Sequence, residues 1–497
     1  MQPMAWVSLS AYFALMIGIG LYAWRKAQAT AEGYMLGGRD LGPAVTALSA
    51  GASDMSGWLL MGLPGAVFLS GLSGAWIGIG LTLGAYVNYL LVAPRLRTFT
   101  ELANDAITIP DFLEERFADT SRSLRVIAAL VIIVFFTLYC SAGMVAGGKF
   151  AVAALGMEYL AGVALAAGVV VIYVLFGGFL AVSLTDFVQG CIMFAGLVIV
   201  PFVVLSQVGG LEGASAALAS AEAAQELAPG TLTSLFAGTT LVGIISTAAW
   251  GLGYFGQPHI IVRFMAIRRV EDMPIARRIN IGWMSISLAG AIATGLLGVA
   301  WLHQGGEAPA DPETIFILFA RTLFHPLVTG FLLAAILAAI MSTISSQLLV
   351  TASSLAEDIW RGVIQRDASE KSVVAIGRAA VLIVAAVSGL LAMNPESTIL
   401  SLVSNAWAGF GAAFGPLIIA SLWWRGTTRA GALAGMVTGA TVVIVWIMLG
   451  WSEAMYEIVP GFIASGLAIW LVSKLSTAPP ADRIALFDQA AAAALAK

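Results

Sequence analysis

The stretch Gly51-Ala52-Ser53-Asp54-Met55-Ser56-Gly57 sets a single carboxylate in the middle of an apolar segment. Between Pro43 and Pro94, Asp54 is the only charged residue. An ionised Asp at mid-bilayer costs roughly 2.5–3.5 kcal/mol on translocon-insertion scales. A bound cation, a water-filled cavity or a buried partner has to offset that cost. The flanking residues weaken the helix at the same place. Each glycine inside a helix costs about 1 kcal/mol relative to Ala, and Ser and Asp side chains compete for backbone hydrogen bonds. The segment therefore reads as a membrane helix broken where its one carboxylate lies. Such breaks are tolerated where the freed backbone faces protein or an aqueous cavity. In membrane transporters they are where ions and substrates bind.

The surrounding chain fits that reading. Its 497 residues are 60% hydrophobic and only 10% charged, with a mean hydropathy of +0.93. Apolar runs long enough to cross a bilayer recur throughout, which predicts an all-α polytopic membrane protein. About thirteen spans are expected, at about 5–24, 44–68, 74–94, 126–149, 160–178, 187–207, 235–261, 279–303, 326–352, 376–393, 397–421, 431–449 and 456–474. Placing the N-terminus outside leaves only Lys149 and Arg321, of 24 Lys and Arg, on the outer side. The positive-inside rule favours that orientation, with the C-terminus cytoplasmic and the span count odd. The first apolar stretch is too long for a signal-peptide core and is read as span one. No soluble domain is expected at either end, and the last residues form a short tail, either a surface helix or disordered.

A second interruption is expected in the seventh span. Trp250-Gly251-Leu252-Gly253-Tyr254-Phe255-Gly256-Gln257-Pro258 packs glycines and a proline too densely for a regular helix. Spans two and seven are five apart, so they cross the bilayer in opposite directions. Two five-helix repeats in inverted orientation produce that relation. The expected organisation is 1–43 for the first span and a cytoplasmic loop, and 44–207 for repeat one (spans two to six). It continues with 208–421 for an external loop and repeat two (spans seven to eleven), then 422–497 for the last two spans and the tail.

Span nine supplies a third polar group. Residues 322–356 contain no acid, Lys or Arg, yet include Met341-Ser342-Thr343-Ile344-Ser345-Ser346-Gln347. Ser342, Ser345 and Ser346 share one helix face, with Thr343 about 100° away. Hydroxyl oxygens suit a hard alkali cation, and carbonyls freed near Asp54 would complete its shell. The competing use is ordinary helix packing, in which membrane Ser and Thr bond their own carbonyls or a neighbouring helix. Basic residues enter the expected spans only at their edges (Lys149, Arg378 and Lys474), so a salt bridge at the depth of Asp54 is hard to build. Trp250 and Tyr254 lie on one face if the helix persists between them. Tyr139 sits in the middle of span four, so the three rings could hold a small ring or an ammonium; packing is the plainer alternative. Asp186, before span six, is read as either an ion exit point or a solvated cap at the cytoplasmic entrance. Arg39, in Leu36-Gly37-Gly38-Arg39-Asp40, either gates the inner face or marks topology.

Other functions find little support. His259, His303 and His325 lack metal-ligand spacing. There is no catalytic constellation, and no Gly-x4-Gly-Lys-[Ser/Thr] loop for ATP. No basic patch interleaved with aromatics suggests nucleic acid. Cys140 and Cys191 fall in spans and read as packed thiols. An ion gradient is the natural energy source, and no transition metal and no obligatory protein partner are expected. An uncoupled channel or a membrane sensor is the alternative class, although a sensor usually carries an output domain.

Ala52-Ser53-Asp54-Met55-Ser56-Gly57-Trp58-Leu59-Leu60-Met61-Gly62-Leu63-Pro64-Gly65 resembles the second span of the sodium:solute symporter family, in its proline-carrying branch. Gly251-Leu252-Gly253-Tyr254-Phe255-Gly256-Gln257-Pro258-His259 and Ala339-Ile340-Met341-Ser342-Thr343 fit the same branch, as do Leu36 to Arg39 and Asn405 to Gly411. The resemblance implies a LeuT-type core of two inverted five-helix repeats with three additional spans. It also implies sodium-coupled import of L-proline across the cytoplasmic membrane of a bacterium, with another small zwitterion, carboxylate or osmolyte as the alternative substrate. The sodium site it implies uses the carbonyls of Ala52 and Met55 and the hydroxyls of Ser342 and Thr343, with Asp54 as the essential acid. Ser56, Gly57, Tyr139, Trp250, Tyr254 and Pro258 match positions associated with proline. Helix geometry groups Ser342 with Ser345 and Ser346 instead. A distorted span nine, or a cation lying between two faces, would reconcile the two.

Overall fold

The computed structural model describes residues 2–26, 30–394 and 398–495. The expected start of span eleven at 397 lies outside the described residues. The described chain is helical, with no β-strand and a single bridge between Leu41 and Ile267. Among the described residues, ten helices are long and apolar enough to cross a membrane. Helices satisfy every internal backbone group, which is what a segment in hydrocarbon requires.

Burial sorts these helices into centre and periphery. Pro326–Ile364 and Ile399–Trp423 are each 83% buried over their most apolar window, whereas Pro3–Lys26 and Ile458–Leu475 are only 28% buried. The less buried helices turn Phe202, Leu390 and Met448 outward, as a chain surrounded by lipid must. At the centre, the polar side chains of span nine are enclosed by protein, with Ser342, Thr343, Ser345 and Ser346 all buried.

The second span breaks where expected. Helix Pro43–Asp54 ends, Met55 leaves helical geometry at φ −77°, ψ 74°, and helix resumes from Trp58 through Ser70. The seventh span is also interrupted, but begins later than 235. Thr240 caps Leu241–Ala248 by accepting from Gly243 N, the tighter 3₁₀ turn Ala249–Gly256 follows, and α-helix restarts at Pro258. Proline suits the first turn, where its missing N–H leaves no bond unmade.

Span six starts well before 187. Tyr159–Gln207 is two helices joined directly at Gly178, whose non-helical φ of 53° and ψ of −148° favour glycine. A Cβ there would also lie 2.6 Å from the Tyr34 carbonyl. Span ten likewise begins early, at Glu370 with Ser369 as its cap. The tail forms a helix, Ala481–Leu495.

Candidate functional site

The break in span two lies against span nine. Ser342 Oγ donates to the Ala52 carbonyl at 2.7 Å, and Thr343 Oγ1 reaches the same oxygen at 3.5 Å. Span nine is regular helix through both positions, so no distortion is needed. Two adjacent residues on different faces converge on one carbonyl lying between them. Ser345 and Ser346 go elsewhere. Ser345 Oγ donates to the Ser342 carbonyl at 2.9 Å, within its own helix. The face grouping of Ser342, Ser345 and Ser346 is therefore not the grouping that meets Ala52.

Asp54 is wholly buried. Tyr254 donates its hydroxyl to Asp54 Oδ2, while Oδ1 has no hydrogen-bond partner among the described residues. The Asp54 carbonyl accepts from Ser56 N at 2.9 Å and Trp58 Nε1 at 3.2 Å. Its side-chain partner is thus a neutral hydroxyl from the other broken span. Hydrogen bonds that involve a charged group contribute about 1.5–3 kcal/mol.

An aromatic cluster surrounds this junction. Trp250 stacks on Trp407 (centroids 6.3 Å apart) and on Tyr456 (5.5 Å), and lies 6.1 Å from Trp58. Tyr254 meets Trp407 edge-on at 5.3 Å. The expectation that Trp250 and Tyr254 share one α-helical face fails, because a 3₁₀ turn has about three residues per turn and sets them about 120° apart. Trp407 bridges them instead, and its Nε1 donates to the Trp250 carbonyl at 2.7 Å. Gly253 admits that indole, since a Cβ there would fall 1.9 Å from Trp407 Nε1. Tyr139 and Phe136 flank His259, the residue after Pro258, at 6.1 and 5.2 Å. Ser56 is buried, and Gly57 packs between Ala146 and Ile340. Trp250 and Tyr456 also line an open cleft of about 530 Å³ with Thr240, Ser401 and Ser404.

Asp186 is neither solvated nor a cap. It lies inside the helix, fully buried, because span six begins just after Gly178. Asp186 Oδ2 accepts from Ser49 Oγ at 2.7 Å and from Arg263 Nη2 at 3.2 Å. Arg263 is equally buried. It also donates to Ser346 Oγ at 2.5 Å, to Ser49 Oγ at 3.1 Å and to the His259 carbonyl. A basic residue therefore does enter the core, just past the expected end of span seven. It pairs with Asp186 rather than Asp54.

Arg39 has a left-handed backbone (φ 51°) after two left-handed glycines. Its guanidinium donates to the Ala106 carbonyl (2.8 Å), the Met265 carbonyl (3.1 Å) and Thr100 Oγ1 (3.2 Å). The loop entering span two is thereby stitched to the end of span seven, and Leu41 N adds a bond to the Ala266 carbonyl at 3.1 Å.

Residues 34–439 match the profile of the sodium:solute symporter family. The chain belongs to that family. Membership makes it a membrane transporter and not an enzyme. It is 55% identical over 483 residues (97% of this chain, 96% of the relative) to the osmoregulated proline transporter OpuE of Bacillus subtilis strain 168. It is 57% identical over 464 residues (93% and 96%) to the high-affinity proline transporter PutP of the same strain. A sodium/proline symporter of Staphylococcus aureus strain NCTC 8325 / PS 47 is 52% identical over 488 residues (96% and 93%). Among solved structures, a Na+-coupled sialic acid symporter in a substrate-bound, outward-open state aligns with a TM-score of 0.78 at 20% identity. That alignment covers 96% of this chain and 99% of the other. MhsT in complex with L-phenylalanine aligns at 0.51, with 15% identity, 86% of this chain and 97% of the other. These likenesses fix the fold as that of LeuT-type transporters.

Sequence reasoning missed Arg263, Trp58, Tyr456 and Glu313. Glu313, buried in the loop before span nine, accepts from Ile399 N at 2.9 Å and pairs with Lys149 at 2.9 Å. Its only signal in the sequence was an acid in an otherwise outer loop. Arg263 carried one signal, a lone Arg in Pro258–Ala266, a helix whose residues are all buried.

Proposed function

We propose that this chain is a sodium-coupled secondary active transporter that imports L-proline by alternating access, in the cytoplasmic membrane of a bacterium. One observation carries the reading. The hydroxyls of Ser342 and Thr343 meet the Ala52 carbonyl at the broken span, in a chain more than half identical to proline transporters over nearly its whole length.

Sodium sits in this proposal among the carbonyls of Ala52 and Met55 and the hydroxyls of Ser342 and Thr343. The set is all oxygen and suits a hard cation. Ser342 now donates its proton to the Ala52 carbonyl. Rotating that proton away turns both oxygens into ligands for one ion. Asp54 supplies the negative charge beside the site. Proline sits on the other side of the break. Its pyrrolidinium lies against Trp250 and Tyr254 and its carboxylate near the amides around Ser56 and Gly57, with Tyr139 and Pro258 completing the shell. Helix N-termini and freed amides favour a carboxylate without an intramembrane cation. Asp186 with Arg263, and Arg39, form the cytoplasmic gate. The chain crosses the membrane thirteen times, N-terminus outside, with spans two to six and seven to eleven as inverted repeats.

Uptake of labelled L-proline into proteoliposomes of the purified protein tests the reading, with and without an inward sodium gradient at fixed pH and zero potential. Accumulation above equilibrium only with the gradient is expected. Equilibration without a sodium requirement, or no uptake by folded protein, would overturn it.

A further inference from the structure

Away from the transport site, a cavity of about 340 Å³ lies where helix Arg429–Met448 begins and helix Ile458–Leu475 ends. Its walls include Arg116, Thr428, Arg429, Ser476 and Arg483. Trp423 marks the bilayer edge close by, half exposed, with the Arg95 guanidinium 3.6 Å above its ring. Trp and Arg at such a level are characteristic of the membrane interface. In the orientation proposed above, the cavity opens on the cytoplasmic side.

Its counter-ions are shared unevenly among the three arginines. Arg429 donates to Asp119 at 3.1 Å and to Ser121 at 2.9 Å. Arg483 donates to Asp482 at 2.9 Å and to the Glu115 carbonyl at 2.9 Å, and its Nη1 lies 3.9 Å from the Glu115 carboxylate. Arg116 has no carboxylate partner among the described residues. Its Nε donates to the Ser421 carbonyl at 2.9 Å, but Nη1 and Nη2 are buried without a hydrogen-bond partner among the described residues. The side chain is 1% exposed, with Phe99, Phe117 and Phe487 around it, each within 5.5 Å of the guanidinium. Burial, and then the neighbouring Arg483, pull its pKa down to about 10. A buried cation whose donors go unused is expensive. An anion placed here would satisfy those donors and relieve the repulsion from Arg483. The first turn of Arg429–Met448, capped by Thr428 through Gly431 N at 3.1 Å, adds the positive end of a helix dipole.

We propose that this cavity binds a phosphate group, with Arg116 and Arg483 as its principal ligands and one hydroxyl of the Thr428–Ser476 pair, now bonded to each other at 2.7 Å, as a further donor. Arginine suits the role because its planar fork matches phosphate oxygens. Two sources present that chemistry: the headgroup of an anionic phospholipid at the membrane surface, and free phosphate in the cytoplasm. Basic pockets between membrane helices on the cytoplasmic side are suited to lipid headgroups.

Thermal unfolding of the full-length protein in detergent micelles tests the site. One arm adds dioleoylphosphatidylglycerol, against dioleoylphosphatidylcholine as the uncharged control. The other adds inorganic phosphate, against sodium chloride of equal ionic strength. A ligand well above its Kd should raise the midpoint by about 3 °C. A rise with the lipid alone assigns a headgroup site, a rise with phosphate alone assigns a soluble anion, and either supports the proposal. In Arg116→Gln and Arg483→Gln the rise should fall by more than half. Arg483 lies on the peripheral tail helix, its side chain 26% exposed, so Arg483→Gln still reads the site if Arg116→Gln does not fold. No rise with either probe, or equal rises in wild type and Arg483→Gln, would overturn the proposal.

Discussion

Replacing Ser342, Thr343 and Ser345 singly by Ala separates a sodium site from general helix packing. Ser342 Oγ lies 2.7 Å from the Ala52 carbonyl, Thr343 Oγ1 lies 3.5 Å from it, and Ser345 Oγ is spent on the Ser342 carbonyl. A hydrogen bond or ligand contact to a charged group contributes about 1.5–3 kcal/mol. At about 1.4 kcal/mol per decade, losing the Ser342 oxygen should raise the half-saturating sodium concentration roughly 10–150-fold. Thr343 contributes at longer range, so Thr343→Ala should raise it about tenfold or less. Ser345→Ala should leave it within about twofold, because the lost bond is internal to one helix and does not face the ion. The assay is initial proline uptake into proteoliposomes across a sodium titration at saturating proline, with folded protein quantified for each variant. A Ser345→Ala effect as large as that of Ser342→Ala would refute the reasoning, because the helix-face grouping would then describe the ion site better than proximity to Ala52. An unchanged sodium requirement in Ser342→Ala would refute it more directly.

Four further outcomes follow from the same geometry. Tyr254→Phe removes the donor on Asp54 and should raise the half-saturating sodium concentration about tenfold, while Asp54→Asn should abolish sodium-dependent affinity for proline; full retention of that affinity would remove Asp54 from the mechanism. Trp250→Ala should weaken proline binding about 2–30-fold, from a cation–π contact of ~0.5–2 kcal/mol, and leave sodium binding measured without proline within about twofold; equal loss of both would collapse the division of roles. Arg263→Gln strands a buried carboxylate at Asp186 and should destabilise the protein by about 3–5 kcal/mol, whereas adding Asp186→Asn to it should restore part of the loss in thermal unfolding; a double variant no better than the sum of the single changes would show that the pair is not coupled.

The breaks in spans two and seven were legible because they are written in local chemistry. Glycine, proline and a lone acid disfavour helix wherever they stand, and the surrounding apolar pattern says that the disruption lies at membrane depth. Asp186 was misread for a related reason. Gly177 and Gly178 look like the start of a loop in sequence, but the structure breaks the helix at Gly178 alone and starts the next helix directly after it. A residue expected at a wet entrance is therefore dry. Its partner Arg263 was invisible because a cation just outside an apolar run is normally placed in the headgroup region. Only the packing of four helices shows that Ser49, Asp186, Arg263 and Ser346 bond one another, with Asp186 Oδ1 left without a partner among the described residues. The faces of Trp250 and Tyr254 failed for a simpler reason. The glycines that made the segment recognisable also tightened it to a 3₁₀ turn, so α-helical spacing no longer applied.

Two neighbouring residues of the broken span supply a physical route for coupling in the proposed cycle. The Ala52 carbonyl is held by span nine, and the Asp54 carboxylate is held by Tyr254 of span seven. An ion that takes the Ala52 carbonyl as a ligand fixes the backbone on one side of the break. That fixes where Asp54 can meet Tyr254, and through Tyr254 the edge of Trp407 and the Trp250 stack. Proline bound against those rings would hold the same segment from the other direction. Each ligand then bears part of the entropy of ordering one short stretch of chain, so each binds more tightly when the other is present, and by the same factor. The reciprocity is a strict requirement. Because it holds whichever element carries the coupling, the broken span is tested by loosening its link to span seven: if Tyr254→Phe leaves the sodium-induced gain in proline affinity unchanged, the broken span is not the shared element.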